Sequence, residues 1–352
     1  MADGQSPAPA PYKRIAAEEA YAPVEVLEQY KRLLERGGGD RGFHSLWSYY
    51  GLNPSAHTSF LYDRIQDLGE RRLADMDELG IDRQILGLTC PGVELFDLPL
   101  ARELAALSND RIADACRRHP DRFTGLAAVA LQDMDFTVAE MRRAISELGL
   151  KGVIINSHTR GEYLDDPRFD PLFATAEELD VPIYLHPNTP SDALIGPILD
   201  AGLETATWGF GVETGMHLIR IIFAGVFDRH PRLRMVVGHL GEGIPFWLFR
   251  IDHYHEIHDK SKRYPWRPSL EQRPSDYVRK NIWLTTSGMA WEPVISFTRD
   301  VIGSDRVIYA MDYPYQVFAS EVIAQDALPL DADEMRYFFE GGARQIFAIE
   351  EG

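Results

Sequence analysis

Cysteine is scarce. Cys90 and Cys116 are the only two in 352 residues. That rules out a disulfide framework and fits a reducing cytoplasm. Positive charge is also short: 36 lysines and arginines stand against 54 aspartates and glutamates, a formal net charge of −18. Such a surface repels nucleic acid and anionic lipid, so neither is an expected partner. A small anionic substrate would need local positive charge, from a metal or an arginine. No apolar run reaches the roughly 20 residues that cross a bilayer. The start, MADGQSPAPAPYKR, lacks the apolar centre of a secretion signal, and residues 1–12 read as a disordered Pro/Ala tail. There is no P-loop, and no G-x-G-x-x-G opens a helix after an early strand, so nucleotide binding has no support.

What the chain does have is alternation. Short runs rich in Val, Ile and Leu are predicted as strands at 14–20, 83–89, 124–131, 152–158, 182–187, 234–241, 282–288 and 307–314. Stretches of helical spacing separate them, at 69–80, 98–118, 135–148, 169–179, 210–226, 244–258 and 291–302, with more at about 317–325 and 332–348. Eight strands alternating with helices predict an α/β fold, a (β/α)8 barrel, with a doubly wound open sheet as the alternative. Residues 13–352 are expected to form one domain. An aromatic-rich insert, about 25–65, interrupts the rhythm after the first strand. A helix at about 25–36 opens it, Gly37–Gly39 end that helix, and Phe43, Trp47, Tyr49 and Tyr50 follow. Long barrel loops of this kind serve as lids or subunit contacts.

Barrel active sites lie at the C-terminal ends of the strands. Strand 1 ends on Glu18 and Glu19, strand 5 on His186, strand 6 on His239 and Glu242, and strand 8 on Asp312. Asn156 and His158 close strand 4, and Thr285, Thr286 and Ser287 close strand 7. Several buried carboxylates and imidazoles at one rim call for a shared counter-charge. Glu18, His186 and Asp312 offer two carboxylates and one imidazole, a set that suits Mn²⁺, Mg²⁺ or Zn²⁺. Cys90 ends strand 2, where it would line such a site, whereas Cys116 falls in a helical pattern and reads as packing.

These residues carry a resemblance. EEAYAP, the HP after strand 5, GHLGE followed by FWLFRIDH, and AMDYPY resemble the amidohydrolase superfamily, in its decarboxylase branch. SLWSYYG, DLGERRLADMDELGID, INSHTRGEYLD and FGVETGMHLIR bring the pattern nearest to 5-carboxyvanillate decarboxylases, then to 2,3-dihydroxybenzoate and γ-resorcylate decarboxylases. The resemblance runs from about residue 13 to the C-terminus. It implies a Mn²⁺ ion (Zn²⁺ or Mg²⁺ less so) on Glu18, His186 and Asp312, with no organic cofactor, and Glu19 in a supporting place. Hydrolytic members open with His-x-His on strand 1; here Glu18 and Ala20 stand in that pair. The implied reaction is loss of CO₂ from an ortho-hydroxylated aromatic acid. Asp312 protonates the ring carbon, and His239 and Glu242 position the reacting groups. His57, Cys90, Arg250 and Tyr315 are implied to contact substrate, Arg250 in a neighbouring subunit of a homodimer or homotetramer. His57 is a departure, because the 5-carboxyvanillate enzymes carry an arginine there. A hydrolase of a lactone, ester or amide is the other activity that the superfamily allows.

Overall fold

The computed structural model describes residues 6–53 and 55–350. Residues 1–5 of the expected tail, and Pro54 in the insert, lie outside the described residues. Residues 6–14 carry no regular helix or strand. Eight parallel strands follow in chain order: β1 (Ile15–Tyr21), β2 (Arg83–Leu88), β3 (Phe123–Gly125), β4 (Val153–Asn156), β5 (Ile183–His186), β6 (Met235–Val237), β7 (Ile282–Thr285) and β8 (Val307–Ile308). Two ladders hold them, β1-β2-β3 and β4-β5-β6-β7-β8.

Hydrogen bonds cross both seams between the ladders. Ala127 N–H donates to Gly152 O at 2.8 Å and Ile154 N–H to Ala127 O at 2.9 Å, joining the chain after β3 to β4. Ala17 N–H donates to Tyr309 O at 3.1 Å and Ala20 N–H to Tyr313 O at 2.7 Å, joining β1 to the chain after β8. The fold is the (β/α)8 barrel that the alternation predicts. Ile15, Ala17, Ile85, Leu126, Ile154, Tyr184, Val236, Trp283 and Ile308 form one buried cluster contributed by all eight strand segments. Side chains fill a barrel of this size, so it is a core and not a pore.

Several strands end sooner than expected. The run at 124–131 pairs regularly only over β3, and those at 234–241 and 307–314 only over β6 and β8. Beyond β6 the backbone turns left-handed at His239 (φ 51), Leu240 (φ 53) and Glu242 (φ 54), and beyond β8 at Asp312 (φ 75). A residue at positive φ cannot continue a ladder. The rim residues are therefore set on sharp turns, each costing of order 1–3 kcal/mol, a cost that surrounding structure must offset.

The insert is helical throughout most of its length. α1 (Val24–Glu35) matches the expected opening helix, and α2 (Arg41–Leu52) and α3 (Ala56–Ile65) add two helices that the sequence pattern does not predict. Asp40 caps α2, its side chain accepting from Phe43 N–H at 2.7 Å. Ser55 and Thr58 form a capping box on α3. Phe43 and Trp47 pack on Tyr30 of α1, with ring centroids 5.6 and 4.6 Å apart, and so face inward. Tyr49 and Tyr50 are left to face the barrel mouth.

Candidate active site

Glu18 reaches the barrel centre through an irregularity. Ile15 and Ala17 point into the interior cluster, and strict alternation would send Glu18 the other way. The β1–β2 register slips between Ala16 and Glu19, where β1 holds one extra residue. A bulge of this kind re-aims a side chain. Glu18 Oε2 accepts from Thr285 Oγ1 at 2.8 Å, and also from the hydroxyls of Tyr184 and Ser287. Oε1 is buried and has no hydrogen-bond donor among the described residues. Glu19 turns the opposite way. Its Oε1 accepts from Met311 N–H at 3.0 Å and its Oε2 from Tyr313 N–H at 2.9 Å. Burial pushes the Glu19 carboxyl up to about 8, against those two donors.

Two imidazoles face the free oxygen of Glu18. His186 Nδ1 lies 2.9 Å from Pro187 O, a contact that makes Nδ1 the protonated nitrogen. Its Nε2 lone pair then stands 3.5 Å from Glu18 Oε1. His239 Nδ1 pairs with Glu242 Oε1 at 2.9 Å, and its Nε2 lies 3.7 Å from Glu18 Oε1 and 3.9 Å from Asp312 Oδ2. Buried His239 is nevertheless held well above the usual imidazole range by Glu18 and then Glu242. Glu18, His239 and Asp312 each offer a ligand atom, all within 4.8 Å of one another. His186 is outside that trio but beside its Glu18 member.

Donors about 2.0–2.2 Å from a common ion sit roughly 3–3.5 Å apart. These side chains fit such an ion, because Glu18 Oε1 is buried, unpaired and faced by two imidazole nitrogens. The backing also fits. Nδ1 of each histidine is tied down by a carbonyl or a carboxylate, the arrangement that orients imidazole ligands.

A cavity of about 480 Å³ opens above this cluster, a size usual for small-molecule sites. His186, His239 and Asp312 line one end; Tyr49, Tyr50, His57, Cys90, Glu204, Phe210 and Tyr315 line the rest. His57 enters from α3 and is itself exposed. Tyr315 OH and Thr89 Oγ1 are 2.8 Å apart, and burial keeps the Tyr315 phenol protonated well past its usual range. Burial, and then Asp312, push the Cys90 thiol up to about 12, so it is a neutral wall and no nucleophile. A larger groove of about 1070 Å³ lies at the opposite mouth, among Arg14, Arg83, Arg122 and Arg344. None of the candidate residues line it.

Three further residues fall elsewhere. Arg250 is exposed on the helix Ile244–Lys260, with its guanidinium 5.5 Å from the Trp247 ring, outside this chain's cavity. Asn156 donates to Leu88 O at 3.1 Å, and His158 sits between Thr189 O at 3.0 Å and Gly161 N–H at 3.1 Å. Those two brace loops.

Carboxylates and imidazoles gathered at the C-terminal mouth of a parallel barrel are the layout of a barrel enzyme that works with a metal ion. The amidohydrolase family model matches residues 52–349. The chain belongs to the amidohydrolase family, in its decarboxylase branch. It is 37% identical over 286 residues to γ-resorcylate decarboxylase of Rhodococcus jostii (strain RHA1), covering 76% of this chain and 83% of that one. It is similar to the crystal structure of 5-carboxyvanillate decarboxylase from Novosphingobium aromaticivorans DSM 12444, complexed with manganese and 4-hydroxy-3-methoxy-5-nitrobenzoic acid. That match has 49% identity, a TM-score of 0.95, and covers 96% of both chains. The dihydroxybenzoic acid decarboxylase of Polaromonas sp. JS666, with bound manganese and the inhibitor 2-nitroresorcinol, matches at 30% identity and a TM-score of 0.85, over 97% of this chain and 98% of that one.

Proposed function

We propose that this chain removes CO₂ from an ortho-hydroxylated aromatic carboxylate, 5-carboxyvanillate or a related 2-hydroxybenzoate, with a divalent metal, Mn²⁺ foremost. It is a carbon–carbon lyase, as its relatives' names are. The observation that carries the reading is the buried, unpaired Glu18 Oε1, faced by two imidazoles at the floor of an aromatic-lined cavity. Glu18, His186 and Asp312 would hold the ion, with His239 Nε2 turned toward the same point. A bound divalent ion supplies Lewis-acid attraction for the electron density that the ring must take up.

The chain's own groups do the rest. Asp312 protonates the ring carbon that bears the carboxylate. The bond from that carbon to the carboxylate then breaks, its electron pair restores the aromatic ring, and CO₂ leaves. His239, braced by Glu242, faces Asp312 Oδ2 and orients it. Tyr50, Phe210 and Tyr315 close aromatic walls about the ring, excluding water from the reacting carbon.

The test is CO₂ release by the Mn²⁺-loaded protein from 5-carboxyvanillate, with 2,3-dihydroxybenzoate in parallel. Release from either is the expected result. Silence on both with metal bound, together with hydrolysis of a lactone or ester, would replace this reading with the hydrolase one.

The chain is also proposed to act as a homodimer or homotetramer in a reducing cytoplasm, where its two free cysteines would stay reduced. Phe246, Trp247, Phe249 and Tyr254 lie exposed on the helix that carries Arg250, Phe249 at 85%. Such an apolar face is unusual on a monomer. Sedimentation velocity at micromolar concentration should give a multiple of 39.9 kDa, and a lone monomer would sink the idea.

A further inference from the structure

Away from the metal end, the cavity's charge is one-sided. No lysine or arginine lines it among the described residues, but Glu204 does. This residue sits between the helices Gly196–Asp200 and Gly209–Phe223 and is 8% exposed. Ser45 of α2 donates its hydroxyl to Glu204 Oε1. Oε2 is buried and has no donor among the described residues. A buried carboxylate oxygen without a donor is costly. Nearly all other buried polar groups in folded proteins are paired, so an orphan beside an open cavity points to a ligand.

We propose that Glu204 selects the substrate: the cavity takes a 2-hydroxybenzoate whose ring carries a further hydroxyl, donated to Glu204, and disfavours a ring with a second carboxylate. This deepens the decarboxylase reading and rests on it for the orientation of the ring. The reactive carboxylate belongs at the metal end, among His186, His239 and Asp312. A second carboxylate would then meet Glu204 with no cation on the wall to separate the two negative charges. Beside a buried carboxylate, such repulsion is stronger than in bulk water. A ring hydroxyl meets the same oxygen as a donor to an ionised acceptor, one of the stronger neutral-to-charged hydrogen bonds. Sites that hydrogen-bond a substrate hydroxyl also reject analogues that lack it, because the protein group is left unpaired. His57 is the remaining basic side chain at that end, and its exposure leaves it in solvent-like surroundings.

The test compares three acids on the Mn²⁺-loaded protein: a dihydroxybenzoate (2,3- and 2,6-, taking the better), its O-methyl counterpart and 5-carboxyvanillate. Calorimetric Kd and kcat/KM are read for each, in the wild type and in Glu204→Gln. The wild type should favour the dihydroxy acid over both others by about tenfold or more. Glu204→Gln keeps an acceptor and removes the charge, so the preference over 5-carboxyvanillate should shrink at least tenfold. If Glu204→Gln fails to fold, Ser45→Ala, which frees Oε1 of its donor, is expected to shift the same ratio. A wild type that prefers 5-carboxyvanillate, or a ratio unmoved in the variant, overturns the proposal. Absence of CO₂ from all three acids would instead overturn the decarboxylase reading, and the Kd ratios would still decide the role of Glu204.

Discussion

Asp312→Asn should fold, keep its cavity and lose turnover by about 10²–10⁴-fold, the usual contribution of a positioned proton donor. The substitution is nearly isosteric. Asp312 sits at φ 75, a conformation that asparagine tolerates better than most residues, so the turn after β8 has no reason to change. Asparagine has no acidic proton to give the ring carbon. It also offers a poorer ligand oxygen, so the Mn²⁺ content of the variant is measured on the same sample. A variant that holds metal and binds a nitro-substituted phenol like wild type, yet releases no CO₂, isolates the proton step. Wild-type turnover would remove Asp312 from the mechanism altogether.

The second large effect belongs to a residue with no side chain. Gly238 follows β6 with φ −70 and ψ 178, which alanine adopts without strain. A Cβ there would lie 2.5 Å from Glu18 Oε2 and 2.8 Å from Oε1. Gly238→Ala must therefore push the Glu18 carboxylate off its three hydroxyl donors and away from His186 and His239. We expect Mn²⁺ affinity to fall by about 10–100-fold, as when groups that support a ligand are lost. Titration with Mn²⁺, followed by calorimetry, reads it directly. Unchanged affinity in a folded variant would mean that Glu18 does not hold the ion.

Where the sequence was readable, local chemistry agreed with tertiary structure. The helix expected at 98–118 is Leu98–Arg118, entered through the Asp97 cap and closed by Arg117 and Arg118. Some strands end short of the sequence expectation, because RMVVGHLG opens as an apolar, valine-rich run like a buried strand while its backbone turns left-handed at His239. Glu18 and Glu19 could be named from their position. Which of them faces the barrel centre depends on the register slip between Ala16 and Glu19, which leaves no mark in residue type. Tyr184 was within reach, two residues before His186 and so on the same strand face. Glu204 was not, since DAGLETATWGF has neither period nor motif, and only the packing of α2 against that loop gives it meaning. Arg250 was singled out by resemblance alone, and within one chain it lies outside the cavity.

The Glu19 carboxylate has one more consequence. It binds the backbone of Met311 and Tyr313, 292 and 294 residues away, while Arg14 pairs with Asp326 at 2.7 Å. During synthesis, at about 5–20 residues per second, β1 emerges well before its last neighbours. Until then Glu19 lacks both of its donors, and β1 has an open edge beside it. A chain cut short before β8 would keep the three hydroxyl donors of Glu18 but leave the Glu19 carboxyl without its two backbone donors and one edge of β1 open.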